Sequence, residues 1–286
     1  MMTNKTLRNL GIFIFFVIIS GWLGVLLDSV LTDQPEGDSL GMGIWLVLPL
    51  LTALIIILFS KESRKDLGMR PNFQGNMKWY LVSVLIFPVV TAIVLLLGAA
   101  TNWIDLSAFN LRLFILAFGS TLLINFIINF FEETAWRGYL TSRLVKLNLS
   151  DLKLYLAVAC VWALWHLPYY LVFLPEADIR AVMPVSRAVY VVVAFTTFLS
   201  WTVMFTELFL VTKSVWPCVL LHTVEDSLIN HLVISGYIGI AAGKEILISP
   251  INGVITSILY LAVGIGIRAY RRKKTKTTTE FSEIIC

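Results

Sequence analysis

Eight long apolar runs divide this chain, at residues 10–27, 43–59, 79–99, 113–131, 154–174, 188–210, 215–234 and 251–267. Each approaches or exceeds the roughly 17–25 residues that a helix needs to cross a bilayer. A strand isolated in hydrocarbon leaves its backbone groups unpaired, and none of the runs alternates apolar with polar residues as a barrel strand does. The expectation is an all-α, polytopic membrane protein of about eight transmembrane helices enclosing an intramembrane cavity. Composition agrees. Only 14% of residues are charged and the mean hydropathy is +0.85, against about 25% charged in ordinary soluble domains. The first run is longer than the roughly 7–15 apolar residues of a signal peptide and no A-x-A site follows it, so it is read as a retained span.

The net charge of +4 is confined to loops and to the run Arg271-Arg272-Lys273-Lys274-Thr275-Lys276. Such a run beside an apolar span reads as a topology signal, with no nucleic-acid partner. Most lysines and arginines fall in the N-terminus, the second loop, the fourth loop (Arg137, Arg143, Lys146, Lys153), at Lys213 and in the tail. Arg112, Arg180, Arg187 and Lys244 fall on the other side, and the first loop holds only the acids Asp33, Glu36 and Asp38. The positive-inside rule then makes both termini cytoplasmic, in a multi-pass protein of the cell membrane. An even number of spans gives the same result. Residues 1–270 read as one integral membrane domain with a motif core at 111–234, and residues 271–286 as a basic, disordered cytoplasmic tail. Cys160, Cys218 and Cys286 form neither a CxxC pair nor a disulfide framework.

Ionisable residues inside such spans are costly and mark candidate chemistry. Glu132 and Glu133 close the fourth run, and Arg137 stands four residues after Glu133. Residues four apart share a helix face, so Glu133 and Arg137 can pair. Glu132, turned by roughly 100°, is free for another partner. A bland interface ion pair accounts for Glu133 and Arg137 but not for both glutamates. His166 stands between tryptophans and two residues before Pro168, which would disturb the helix and open space. His222 and Asp226 are four apart on one face, with Glu225 nearby. His231 is read as structural or interfacial, and Glu207 is given no role. His166 lies roughly 18 Å and His222 roughly 10 Å along their spans from the cytoplasmic side. If the fourth and fifth helices project below the bilayer, these groups meet in the cytoplasmic half, and water enters from that side.

The pieces Glu132-Glu133-x-x-x-Arg137, Trp162-x-x-x-His166 and His222-x-x-x-Asp226 resemble the motifs EExxxR, FxxxH and HxxxN/D of the CPBP family. That family comprises CAAX-protease and bacteriocin-processing membrane proteins related to the Ras-converting endopeptidase. The motifs come in the family order on separate spans, with Trp162 in place of the usual phenylalanine. The resemblance implies an intramembrane endopeptidase that hydrolyses a peptide bond of a membrane-associated protein or peptide. In it Glu132 would be the base that activates water and His166 would help hold that water. His222 and Asp226 would line the oxyanion pocket, and Glu133 and Arg137 would fix the motif helix. The family is commonly labelled metalloprotease, and Glu132, His166 and His222 form a zinc-type ligand set. There is no HExxH, and metal-free activation of water is the favoured chemistry. The alternatives are a non-catalytic scaffold or bacteriocin-immunity protein that binds a peptide in the same pocket, and a transporter. No paired broken-helix halves support a transporter.

Overall fold

The computed structural model describes the backbone of residues 4–31, 33–35, 37–60 and 63–285, and side chains as far as Thr275. Glu36, Lys61, Cys286 and the Lys276 side chain, used in the sequence reading, lie outside the described set. The helices are α1 (Asn4–Val30), α2 (Leu40–Ser60), α3 (Met77–Ala100), α4 (Leu111–Glu133), α5 (Ser142–Val145), α6 (Asp151–Pro168), α7 (Glu176–Val182), α8 (Arg187–Thr212), α9 (Trp216–Ile234), α10 (Glu245–Ile248) and α11 (Val254–Ile285). A π-helical segment, Thr134–Thr141, joins α4 to α5, and a second, Tyr169–Phe173, follows α6.

Among the described residues, seven helical stretches are long and apolar enough to cross a membrane, and the fold is that of an all-α polytopic membrane protein. The eighth expected run stands as α9, 19 residues long. It does not qualify by hydropathy because it carries His222, Glu225 and Asp226, and most of its residues are buried among neighbouring helices. The helix with the motif acids is its opposite. Leu113, Leu116, Leu123 and Ile124 of α4 are exposed, an apolar surface suited to lipid. The turns into the helices are conventional. Asn110 accepts from the Leu113 N–H at 3.1 Å, and Ser186 accepts from the Val189 N–H at 3.4 Å, each satisfying one of the unpaired first-turn donors.

Two features correct the sequence reading. The fourth span does not end at Phe131. It continues through the π segment to Val145, 35 residues in all, so Arg137 is fully buried and is no loop charge. Residues 271–275, assigned to the tail, continue α11, and Arg271 and Arg272 are paired with acids.

The loops gather at two ends. At the end holding most of the basic residues, Lys146 meets Asp66 at 2.6 Å and Arg143 meets it at 3.4 Å. Asp151, the first residue of α6, accepts from Arg268 at 2.6 Å and Arg272 at 2.8 Å. Arg271 grips the buried Glu207 of α8 through Nε at 2.5 Å and Nη2 at 2.7 Å, and Tyr155 donates to the same carboxylate. Glu207 therefore has a role that the sequence reading did not give it. It is fully buried and ties α6, α8 and α11 together. At the far end, two short strands, β1 (Ile104–Asp105) and β2 (Gly239–Ile240), pair antiparallel and join the loop after α3 to the loop after α9.

Close backbone approach fixes the α1–α2 hairpin. A Cβ at Gly24 would stand 2.2 Å from the Gly41 carbonyl oxygen, and one at Gly21 would stand 2.6 Å from Pro168. Small residues at such crossings let helices approach until van der Waals contact replaces the hydrophobic drive that lipid does not supply.

Candidate active site

A polar seam joins α4 to α9. Along α4, polar residues recur every fourth position, and each meets a polar partner on antiparallel α9. Thr121 contacts His231 at 3.3 Å, Asn125 donates to Ser227 at 2.9 Å, Asn129 donates to Asp226 at 2.7 Å, and Glu133 accepts from His222 at 3.0 Å. One such contact per turn sets the register of the two helices. His231 thus belongs to the helix interface, as its position in the sequence implied. Thr121, Asn125 and Asn129 were not singled out there, although a period of four in polar residues through an apolar span was a legible signal.

At the last rung the charges are committed. Arg137 Nη1 donates to Glu133 Oε1 at 2.9 Å, and both side chains are fully buried. The guanidinium carbon lies 4.4 Å from the ring centroids of Trp162 and Phe205, so two aromatic faces hold the cation where water does not reach. His222 Nδ1 shares Glu133 Oε1. A carboxylate paired with arginine only accepts, so Nδ1 carries the proton and Nε2 faces the other way. Nε2 stands 3.9 Å from Glu225.

Glu132 is left outside this arrangement. Its contact with the Trp136 indole N–H is long, at 3.4 Å, and it lines a cavity of about 280 Å³. His166, His222, Glu225 and Asp226 line the same cavity. His166 Nδ1 lies 2.9 Å from the Trp162 carbonyl oxygen. A carbonyl cannot donate, so Nδ1 carries the hydrogen and Nε2 is left as the acceptor in the neutral ring. The imidazole is held edge-on by Trp165 and tilted against Phe198, each at 4.5 Å between centroids. Trp165 is itself fixed to α2. Trp45 Nε1 donates to the Trp165 carbonyl at 2.9 Å, Trp165 Nε1 donates back at 3.2 Å, and the rings stack at 4.2 Å.

Both π segments begin within three residues of a motif residue, one directly after Glu133 and the other after His166 and Pro168. Such insertions often occur at functional sites, where they re-aim side chains. Pro168 ends the regular helix as expected, and Arg187 then takes up freed carbonyls, those of Tyr170 at 2.7 Å and Leu174 at 2.9 Å.

The structure thus brings Glu132, His166, His222 and Asp226 to one cavity and places Glu133 and Arg137 behind its wall. Asp226, implied for the oxyanion pocket, lines the cavity. Its oxygens accept from Asn129 at 2.7 Å and Asn230 at 3.4 Å, so as a carboxylate it is an acceptor. Asn230 also lines the cavity; its place four residues after Asp226 was the sequence signal for it. His222, Glu225 and Asp226 offer ligand atoms within 4.8 Å of one another. That set differs from Glu132, His166 and His222. Two imidazoles with Nδ1 anchored and Nε2 free, beside carboxylates, have the chemistry of a divalent-metal donor set.

The cavity runs from a floor nearer the basic loops to a lining at the opposite end, whereas the sequence reading has water entering from the basic, cytoplasmic side. Its floor is Glu132, Trp162 and His222. Its outer lining is Leu174, Asp178, Val182, Ile234 and Asn252, which belong to the end of the molecule opposite the basic loops. Below the floor, Trp136, Arg137, Tyr139 and Trp165 are fully buried and close the route to the basic end. Residue spacing supplies only the depth of single residues along their helices and not which end of the bundle is plugged.

No curated protein matches the chain at a significant level. Residues 114–228 match a family model described as type II CAAX prenyl endopeptidase, Rce1-like, and this stretch runs from α4 to α9 through every motif residue. Over that core the chain is thus similar to a family of membrane-embedded CAAX proteases, the family that its three motifs resemble.

Proposed function

We propose that the protein is an intramembrane endopeptidase that hydrolyses a peptide bond in a membrane-associated protein or peptide, with Glu132 as the base. The observation that carries this reading is the division of labour between two adjacent carboxylates. Glu133 is consumed by Arg137 and His222, and Glu132 is left facing the cavity. In the proposed reaction, water lies between Glu132 and His166 Nε2. Glu132 takes one proton as the water oxygen bonds to the scissile carbonyl carbon. The carbonyl oxygen becomes an oxyanion, which the Asn230 amide is suited to receive, together with His222 Nε2 when that ring is an imidazolium protonated on both nitrogens. Glu132 then returns its proton to the departing nitrogen, the C–N bond breaks, and an amine leaves with a carboxylic acid, which gives up the remaining proton of the attacking water to solvent. A positioned base of this kind contributes about 10²–10⁴-fold, and donors aimed at the oxyanion add several kcal/mol.

Glu132, His166 and His222, or His222 with Glu225 and Asp226, would hold a divalent metal ion such as zinc. A bound ion would supply an acidified water and a Lewis acid for the carbonyl. The alternative reading is a scaffold or immunity protein that binds a peptide without cutting it. The test uses purified protein in liposomes with candidate membrane-anchored peptides, in ¹⁸O-labelled water, with and without chelator. The expected result is two fragments with one labelled oxygen in the new carboxylate, and loss of cleavage for Glu132→Ala and His166→Ala. Biological function that survives replacement of Glu132, His166 and His222 together would favour the non-catalytic reading.

A further inference from the structure

The cavity is asymmetric along the helix axes. On α9, His222 lies six residues, about 9 Å, from the basic-end terminus, and Asn230 lies about 6 Å from the other terminus. On α8, the lining residues Tyr190, Ala194, Thr197 and Phe198 fall in the half nearer Arg187, and Trp201 lies just past the midpoint. Asp178 and Val182 of α7 and Asn252 before α11 complete the outer rim. Towards the basic end, the layer made by Trp136, Arg137, Tyr139 and Trp165, with Phe205 behind Arg137, has no exposed member. On that side the Glu207–Arg271–Asp151 network holds α6, α8 and α11 together.

The lining is also asymmetric in charge. It carries the four carboxyl groups of Glu132, Asp178, Glu225 and Asp226 against two imidazoles, His166 and His222, and, among the described residues, no lysine or arginine. Low-dielectric walls focus the field of like charges at a mouth and raise the local concentration of the opposite charge.

We propose that the cavity admits its substrate from the membrane face opposite the basic loops, which the positive-inside rule makes the non-cytoplasmic face, and that it favours a segment carrying positive charge. The substrate class follows from the peptidase reading, on which this inference rests: a membrane-anchored peptide that reaches the cavity floor from the non-cytoplasmic side and carries a basic residue on the stretch that lies in the cavity. Water for hydrolysis would enter by the same mouth.

The test reads accessibility and is independent of cleavage. In the full chain with Cys160, Cys218 and Cys286 replaced by serine, single cysteines report on the mouth (Ala177→Cys), the basic end (Lys153→Cys) and the cavity (Asn230→Cys and Thr197→Cys). Membrane-impermeant methanethiosulfonates, one cationic and one anionic of similar size, are applied to intact cells and to inverted vesicles. Both cavity cysteines are expected to react from the side that labels Ala177→Cys and to be silent from the side that labels Lys153→Cys. The cationic reagent should react at least about tenfold faster than the anionic one. Cavity cysteines that react only from the Lys153 side, or from neither side, would overturn the proposed route. Equal or reversed rates for the two reagents would overturn the charge preference. The two marker variants show which face each reagent reaches, and a melting temperature close to that of the cysteine-free parent shows that each cavity variant is folded. Correct labelling without cleavage of any peptide would sink the peptidase reading and leave the route intact.

Discussion

Glu207 and Glu132 are both buried carboxylates on helices apolar enough to cross a bilayer, and their surroundings use them differently. Glu207, at the basic end, is gripped twice by Arg271 and receives the Tyr155 hydroxyl. Its charge is neutralised and its lone pairs are engaged, and it holds three helices in place. Glu132 has one long hydrogen bond and a cavity in front of it. The one arginine within reach of its helix turn is already taken by Glu133. A satisfied buried charge is architecture; an unsatisfied one beside two anchored imidazoles is a site for chemistry.

This contrast can be broken experimentally. The largest effect is expected from Glu132→Gln, with cleavage falling by about 10²–10⁴-fold and thermal stability nearly unchanged, measured by initial rates beside an unfolding curve on the same preparation. Glu133→Gln should harm both. It leaves Arg137 buried without its counter-ion and His222 without its anchor, at a stability loss of about 3–5 kcal/mol. If Glu133→Gln were stable and active, the assignment of one glutamate to structure and the other to chemistry would fail. Arg271→Ala should cost a similar amount of stability through the uncompensated Glu207. The double change Glu207→Leu with Arg271→Met should restore most of it, because a buried ion pair and an apolar pair of like volume are often nearly equal in stability. The remaining cleavage per folded molecule should be close to wild type. The smallest effect is expected from Asn125→Ala. It removes one rung of the α4–α9 seam, which is worth about 0.6–2 kcal/mol in a membrane, and leaves Asp226 and His222 in register.

The helices were legible because hydrocarbon leaves the backbone one solution, and the motif residues were legible because charge in such runs is rare. The Glu133–Arg137 pair followed from helical spacing alone. Other features were hidden for physical reasons. The continuation of α4 to Val145 is masked because Arg137, Arg143 and Lys146 look like a loop in composition; Arg137 is buried against Glu133 four residues back, and Arg143, also buried, and Lys146 pair with Asp66 in the loop after α2. The grip of Arg271 on Glu207 joins residues 64 positions apart, a pairing that no local pattern announces. The closed end of the cavity depends on which aromatic rings stack beneath Arg137, and so on packing rather than sequence period. The seam through Thr121, Asn125, Asn129 and Glu133 is written in the sequence as a period of four in polar residues, but neutral hydroxyls and amides cost less in a span than charges and so mark it less sharply.

The central claim is that Glu132, and not its neighbour, activates water in the cavity. Single-turnover cleavage of a membrane-anchored peptide by the wild type and by Glu132→Gln, each confirmed folded by its melting temperature, tests it most directly. The account predicts a rate lower by about 10²-fold or more in a variant that melts with the wild type. A Glu132→Gln protein that cuts the peptide at the wild-type rate would contradict it.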